Sequence, residues 1–207
     1  MQCVLAKLKC GSDRTNQFEQ AFLNGAATVH ANEPGCLAYQ LAKDTKRKGE
    51  YYVLEVYQSK ESLKTHMANL KKNPNKALVS TLAGRPELKV MSVIGNPGIK
   101  VGSPSIAIVA EIPCKDMDGM KNAILPALNQ VHTKEPGNLM YCAARDESNQ
   151  NIFFLELYTG MEAIKTHGKT EYFKAMGKRQ APHMGGKIKL SILHTVGPSG
   201  AKASARL

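Results

Sequence analysis

The chain is written twice. Residues 33–39 read EPGCLAY and residues 135–141 read EPGNLMY; LEVY at 54–57 returns as LELY at 155–158, and KTH at 64–66 returns at 165–167. The matches run in one order at a constant offset, except for one residue missing from the second copy in the loop after Asp146. Surface loops tolerate such a loss. An internal repeat constrains the fold more than any other feature, because whatever elements one copy forms the other must form again. GNPGIKVGSP (residues 95–104) between the copies is rich in Gly and Pro and reads as a linker. The predicted organisation is a first domain over 1–94, the linker 95–104, a second domain over 105–196 and a flexible tail over 197–207.

Each copy predicts the same element string. Val4, Ala6, Leu8 and Cys10 alternate, as do Ile106, Ile108, Ala110 and Ile112, so each copy opens with a strand. Phe18, Ala21, Phe22, Ala26 and Val29 then form an apolar stripe at helical spacing, answered by Met120, Ala123, Ile124, Leu128 and Val131. Pro34 and Pro136 end these helices. Leu37, Tyr39 and Leu41, matched by Leu139, Tyr141 and Ala143, alternate as a second strand. YYVLEVY (51–57) and IFFLELY (152–158) are third strands, apolar on both faces. A second helix starts near Ser59 and near Thr159, where Thr159 and Glu162 have capping-box spacing. Val90 to Ile94 and Leu190 to Leu193 close each copy. The fold class is therefore α+β, two tandem ferredoxin-like β-α-β-β-α-β repeats with helices on one face of an antiparallel sheet. The bare face, carrying either Val53, Glu55 and Tyr57 or Tyr52, Leu54 and Val56, needs a partner. The tandem copy supplies one, so sheet-to-sheet packing as an intrachain α/β barrel is predicted, with a further homo-oligomer left open.

Composition narrows the function classes. The 207 residues carry a formal net charge of +11. The charge is spread along the chain, without a zinc-finger, basic-zipper or RNA-binding signature, and reads as a solvated basic face rather than a nucleic-acid site. No apolar run reaches the ~18 residues that span a bilayer, and Met1 to Arg14 lacks the apolar core of a secretory signal. No membrane association is expected. Cys3, Cys10, Cys36, Cys114 and Cys142 are odd in number and never spaced C-x-x-C, which argues for a reducing compartment and against a structural zinc site.

The EPG turn before a strand bearing Tyr, the strand with Glu and an aromatic two residues on, and the helix with His together resemble the antibiotic biosynthesis monooxygenase family, over nearly the whole chain as two fused copies. The resemblance implies a dimeric α+β barrel with a pocket between sheet and helices. It also implies cofactor-independent oxygenation of phenolic, anthrone-like or quinol substrates by dioxygen, with haem binding or degradation as the alternative and non-catalytic ligand binding in a stress response as another. Matched to the motif are Glu33, Pro34, Gly35, Tyr39, Glu55, Tyr57 and His66, then Glu135, Pro136, Gly137, Tyr141, Glu156, Tyr158 and His167. The family's aromatic after the Glu is usually Trp. Here it is Tyr57 or Tyr158 and the chain has no Trp, so no indole mechanism is available.

Cofactor-free oxygenation needs a base, donors for the substrate anion and a dry pocket. His66 and His167 are the candidate catalytic bases, since imidazole titrates near neutrality; each follows an apolar residue, Leu63 or Ile164, by three positions and so faces the sheet. Tyr39, Glu55, Tyr57, Tyr141, Glu156 and Tyr158 are the candidate substrate-binding residues. A carboxylate mid-strand in apolar surroundings must be paired, exposed or shifted in pKa, and a cation across the sheet is the simple partner for Glu55 and Glu156. His30 and His132 read as C-terminal helix caps. Glu33-Pro34-Gly35 and its twin read as turn chemistry, with Gly allowing positive φ. No resident cofactor or metal is expected; haem is the alternative, with His66 or His167 as axial ligand. The partners are a small aromatic substrate and dioxygen.

The chain ends Ala205-Arg206-Leu207, a small-basic-Leu variant of the S-K-L signal. It predicts a peroxisomal import receptor as partner and peroxisomal localisation, otherwise cytoplasmic.

Overall fold

A computed structural model describes residues 1–146 and 148–197. The C-terminal Ala205, Arg206 and Leu207, read above as a targeting signal, lie outside the described residues. The first repeat runs β1 (Gln2–Lys9), α1 (Thr15–Asn32), β2 (Cys36–Lys43), β3 (Glu50–Tyr57), α2 (Lys60–Lys72), a short α3 (Lys76–Val79) and β4 (Glu87–Ile94). The second runs β5 (Ile106–Pro113), α4 (Met117–Lys134), β6 (Asn138–Asp146), β7 (Asn151–Tyr158), α5 (Met161–Lys169), α6 (Glu171–Gln180), a 3₁₀ turn (Ala181–His183) and β8 (Lys189–Val196). The α+β class and the two βαββαβ repeats are thus as read. No described helix is long and apolar enough to cross a membrane.

Two compact units emerge, and their borders cut β4 and β8. The first holds Met1–Val90 together with residues 194–197; the second holds Met91–Leu193. In the first unit β3 is central, antiparallel to β1 and β2, and β2 is joined on its other side by His194–Val196 of β8. In the second unit β7 is central, antiparallel to β5 and β6, and β6 is joined by Ser92–Ile94 of β4. Each repeat's closing strand therefore ends against the second strand of the other repeat. Pairing satisfies edge N–H and C=O groups that would otherwise template aggregation.

Within the first unit α1 buries Phe18, Ala21, Phe22, Ala26 and Val29, the whole predicted stripe. Phe18, Phe22, Ala26 and Val29 pack with Val4, Ala6, Leu8, Tyr39, Leu41, Tyr51, Val53 and Tyr57. The helix-facing side of β3 is therefore Val53, Glu55 and Tyr57, and Tyr52, Leu54 and Val56 point to the opposite face, where they too are buried. In the second unit Met120, Ala123, Ile124, Ala127, Leu128 and Val131 of α4 are buried, and α4 packs on Ala110, Ile112, Tyr141, Ala143 and Phe154.

The second helices depart from expectation. Ser59 caps α2, accepting from Ser62 N, but Gly160 rather than Thr159 starts α5, and it does so without a side-chain cap. Thr159 instead lies over Gly137, its hydroxyl 3.4 Å from the Gly137 carbonyl. On α2, Leu63 and His66 are buried while Met67 and Leu70 are exposed, so one residue per turn faces inward.

Candidate functional site

Register brings the predicted residues together. On β3, Glu55 lies between Val4 of β1 and Tyr39 of β2, all on the helix-facing side. A register shift between Cys36 and Ala38 precedes Tyr39; such bulges re-aim side chains and recur beside functional sites. The second unit repeats this with Glu156 between Ile108 and Tyr141, and a shift between Asn138 and Met140.

The glycine of each EPG turn sets how closely the second helix approaches. Neither Gly35 nor Gly137 has positive φ, so the turn-conformation reading of these glycines is corrected. A Cβ on Gly35 would lie 2.2 Å from Ser62 Oγ and 2.6 Å from Ser62 Cβ, and one on Gly137 would lie 2.6 Å from Ala163 Cβ. Glycine is required because α2 and α5 sit directly against the turns.

That approach creates a contact which the sequence reading missed. Glu33, the last residue before Pro34, is buried, and its Oε2 lies 2.8 Å from His66 Nδ1. Asn69 Nδ2 donates to Glu33 Oε1 at 3.0 Å. In the second unit both Glu135 oxygens lie 2.9 Å from His167 Nδ1, and Tyr172 OH donates to Glu135 Oε1 at 2.7 Å. A carboxylate only accepts, so in the neutral ring Nδ1 carries the proton and Nε2 keeps its lone pair. Nε2 of both His66 and His167 is buried without a hydrogen-bond partner. Both rings are surrounded by aromatics: Tyr39 and Tyr57 at 5.5 and 5.4 Å from His66, and Tyr141, Tyr158 and Phe173 at 5.0, 5.9 and 4.3 Å from His167.

Glu55 has a phenol as its partner where a cation was expected. Tyr57 OH donates to Glu55 Oε2 at 2.6 Å, and Tyr158 OH to Glu156 Oε2 at 2.7 Å. Burial pushes both carboxyls up to about 7, against the pull of the tyrosine hydrogen bonds and, at Glu156, first of all of His167; the charges of Glu33 and Glu135 push the same way as burial. Burial likewise holds the Tyr39, Tyr57, Tyr141 and Tyr158 phenols well above their ordinary value, so these hydroxyls stay protonated donors. Each unit thus contains a Glu–His dyad beside a Glu–Tyr pair whose carboxyl is half protonated at neutrality.

Of the remaining histidines, His30 meets the Tyr39 ring edge-on at 6.5 Å and His132 Nε2 lies 3.5 Å from the Tyr141 carbonyl. His183 pairs with Asp116 at 2.8 Å near the surface, and burial lowers the His132 pKa at the end of α4. A cavity of about 260 Å³ in the second unit, lined by Ser92, Val93, Ile94, Gly95, Lys121 and Arg145, includes none of the predicted site residues. Among the described residues no three of His, Cys, Asp and Glu are grouped so as to hold a metal ion.

Sequence signals for the missed partners existed in part. Glu33 and Glu135 recur at the same place in both copies, which marks them as surely as it marks the histidines. Asn69 and Tyr172 do not recur, and only the fold brings them to the dyads.

The fold is shared with solved structures. A candidate monooxygenase from Lactobacillus acidophilus superposes with a TM-score of 0.82 at 16% identity, over 97% of each chain. One from Fusobacterium nucleatum gives 0.79 at 17% identity, over 100% of this chain and 98% of its own. An anthrone oxidase-like protein gives 0.57 at 14%, over 100% and 96%. No curated protein matches the sequence. The sequence model for antibiotic biosynthesis monooxygenase matches residues 1–70 and 119–179, more than half of the chain and both copies. The chain belongs to the antibiotic biosynthesis monooxygenase family.

Proposed function

We propose that the protein is a cofactor-independent monooxygenase that oxidises a small phenolic, quinol or polyketide-like substrate with dioxygen. The observation that carries this reading is the buried imidazole with Nδ1 fixed by a carboxylate and Nε2 unpartnered. A buried polar atom without a partner is a liability that calls for an explanation, and a substrate hydroxyl arriving at Nε2 supplies one. His66 takes the proton of the phenol or enol, and Glu33 holds the resulting imidazolium. The electron-rich anion passes one electron to dioxygen, and the radical pair joins to form a carbon–oxygen bond and a peroxide. His66 returns its proton to the peroxide, and the O–O bond then breaks as the carbon's second hydrogen leaves as a proton to His66: one oxygen stays on carbon as a carbonyl, and the other departs as hydroxide, which one further proton converts to water. Glu55, protonated up to about pH 7, is placed to give that leaving oxygen its proton. Tyr39 donates to the substrate oxygen, and the Tyr39 and Tyr57 rings exclude water, the Tyr57 hydroxyl proton being held by Glu55.

Oxygen uptake with a panel of anthrones and hydroquinones tests the reading, using ¹⁸O₂ and mass spectrometry of the product. One labelled atom per product is expected, with activity falling as Glu55 ionises above about pH 7. His66→Ala together with His167→Ala should lower turnover by a factor on the order of 100 or more, the usual share of a general base. Unchanged turnover in that double variant would remove the base assignment. Titration with haemin tests the alternative, in which His66 or His167 Nε2 is an axial ligand; a Soret shift that these variants abolish would favour it.

A further inference from the structure

The two dyads share their core geometry and differ in their covers. We propose that only the first repeat's site admits substrate, the second being a sealed copy kept for structure. This rests on the oxygenase reading for what the site does, and on the following geometry for which site opens.

The difference starts at one aligned position. Three residues past His66 stands Asn69, inside the unbroken helix α2, and its amide is tied to Glu33. Three residues past His167 stands Thr170, which ends α5 in extended backbone and starts α6. Its hydroxyl accepts from Phe173 N at 3.3 Å and donates to the His167 carbonyl at 2.8 Å. Thr favours this N-cap role, whereas a residue that keeps its helix simply continues it. The next residues then diverge. At the fifth and sixth places past the histidine the first repeat has Lys71 and Lys72, both exposed; the second has Tyr172 and Phe173, both packed on the core of their unit. Tyr172 is tied to Glu135, and Phe173 brings its ring to 4.3 Å from His167.

Two consequences follow. An aromatic substrate meets an imidazole ring to ring, and Phe173, its centroid 4.3 Å from that of His167, already occupies such a place. Among the described residues His66 has ring contacts only with Tyr39 and Tyr57. Both imidazoles are buried, so a cover must shift to admit a ligand. Over His66 the Asn69 amide ties the cover to Glu33, and the chain just after α2 is held by Asn75 Nδ2 donating to the Ala21 carbonyl at 2.8 Å. Over His167 the ties are the Thr170 cap, the Tyr172 hydroxyl and the Phe173 ring, on a helix itself pinned by buried Met176 and by Arg179 Nε donating to the Ala123 carbonyl at 3.2 Å. Among the described residues the second cover lays a third ring against its imidazole and the first does not.

The full-length protein labelled with ¹⁵N-histidine and titrated with 2-naphthol, observed through the long-range ring nitrogen correlations, tests the assignment without needing turnover. A shift of His66 Nε2 alone, saturating at one equivalent, is expected. A shift at His167, alone or with His66, or at neither, would overturn it. Phe173→Leu should then let the probe reach His167 and raise the stoichiometry to two; a stoichiometry still at one would show that Phe173 is not the seal. In turnover, His66→Gln should lose on the order of 100-fold; a loss of less than about twofold, with the His167 site carrying the turnover, would overturn the division. Probe binding at His66 without oxygen uptake from any substrate would defeat the oxygenase reading and leave the division standing.

Discussion

Replacing Glu55 with Gln should make the protein more stable above neutrality and leave it nearly unchanged in acid. The carboxyl of Glu55 is 6% exposed and its pKa is raised to about 7 by burial. Unfolded, it titrates at the ordinary value of about 4.5. The folded state therefore binds the proton more tightly than the unfolded state. Its favourable contribution is complete below the unfolded pKa and is lost as pH rises to the folded one; above about pH 7 the loss is full. A difference of roughly 2.5 pKa units at 1.36 kcal/mol each amounts to about 3 kcal/mol, most of it between about pH 5 and pH 7. Gln copies the shape of the protonated acid and keeps a carbonyl to accept from Tyr57 OH, but it cannot ionise. Urea unfolding at a series of pH values should show wild type and Glu55→Gln equal near pH 4 and the variant ahead by about 3 kcal/mol near pH 9. Glu156→Gln should behave alike, since the same burial acts on it. A gap between wild type and variant that stays constant from pH 5 to pH 9 would refute the buried-acid reading.

Two further predictions concern the frame around the dyads. Gly35→Ala should push α2 off its turn, costing roughly 1–3 kcal/mol as overpacking does, and should loosen His66 from Glu33; Ser62→Gly removes the clashing atoms, so the double variant should recover most of the loss in thermal unfolding. A fragment of residues 1–94 lacks the strand residues His194–Val196 that pair with Leu41–Lys43, so it should self-associate through the open edge of β2; a monomeric fragment with native circular dichroism would contradict the strand exchange.

Much of the fold was legible because burial writes itself into spacing. The α1 stripe was recovered residue for residue, since 3.6-residue periodicity has one reading when five positions agree. Strand faces were harder: YYVLEVY is apolar throughout, so alternation could not say whether Glu55 or Leu54 faced the helices, and only pairing with Val4 and Tyr39 decides it. The exchange of β4 and β8 left no trace, because a strand's sequence records which face is buried and not which neighbour it joins. For the site, repetition pointed to His66, Tyr39, Glu55 and Tyr57, and it pointed equally to Glu33. The Pro-Gly that follows Glu33 drew the reading toward a turn; in the fold the turn and the carboxylate serve one arrangement, the turn presenting the carboxylate and Gly35 letting the histidine helix come near enough to use it.

The charges of each site are linked, and the link orders the proton transfers. Glu33 carries the negative charge that fixes His66, and the same charge helps keep Glu55 protonated. Once His66 has taken a substrate proton, the Glu33–imidazolium pair is neutral overall, and the electrostatic resistance to ionising Glu55 is relieved at the step that needs an acid. Pairs of titratable groups held apart in pKa by their surroundings work as an acid and a base in this way. Glu33→Gln tests how far the linkage reaches. Burial is the largest cause of the shift and the Glu33 charge a smaller one, so Glu55 should drop only part of the way and remain above the ordinary carboxylate range. Infrared difference spectra of the protonated carboxyl stretch, followed against pH and assigned by Glu55→Gln, measure it directly. A fall of Glu55 to an ordinary carboxylate value in Glu33→Gln would mean that charge and not burial governs the acid; no fall at all would mean that the dyad and the Glu–Tyr pair titrate independently, and that the proton order argued from their coupling does not hold.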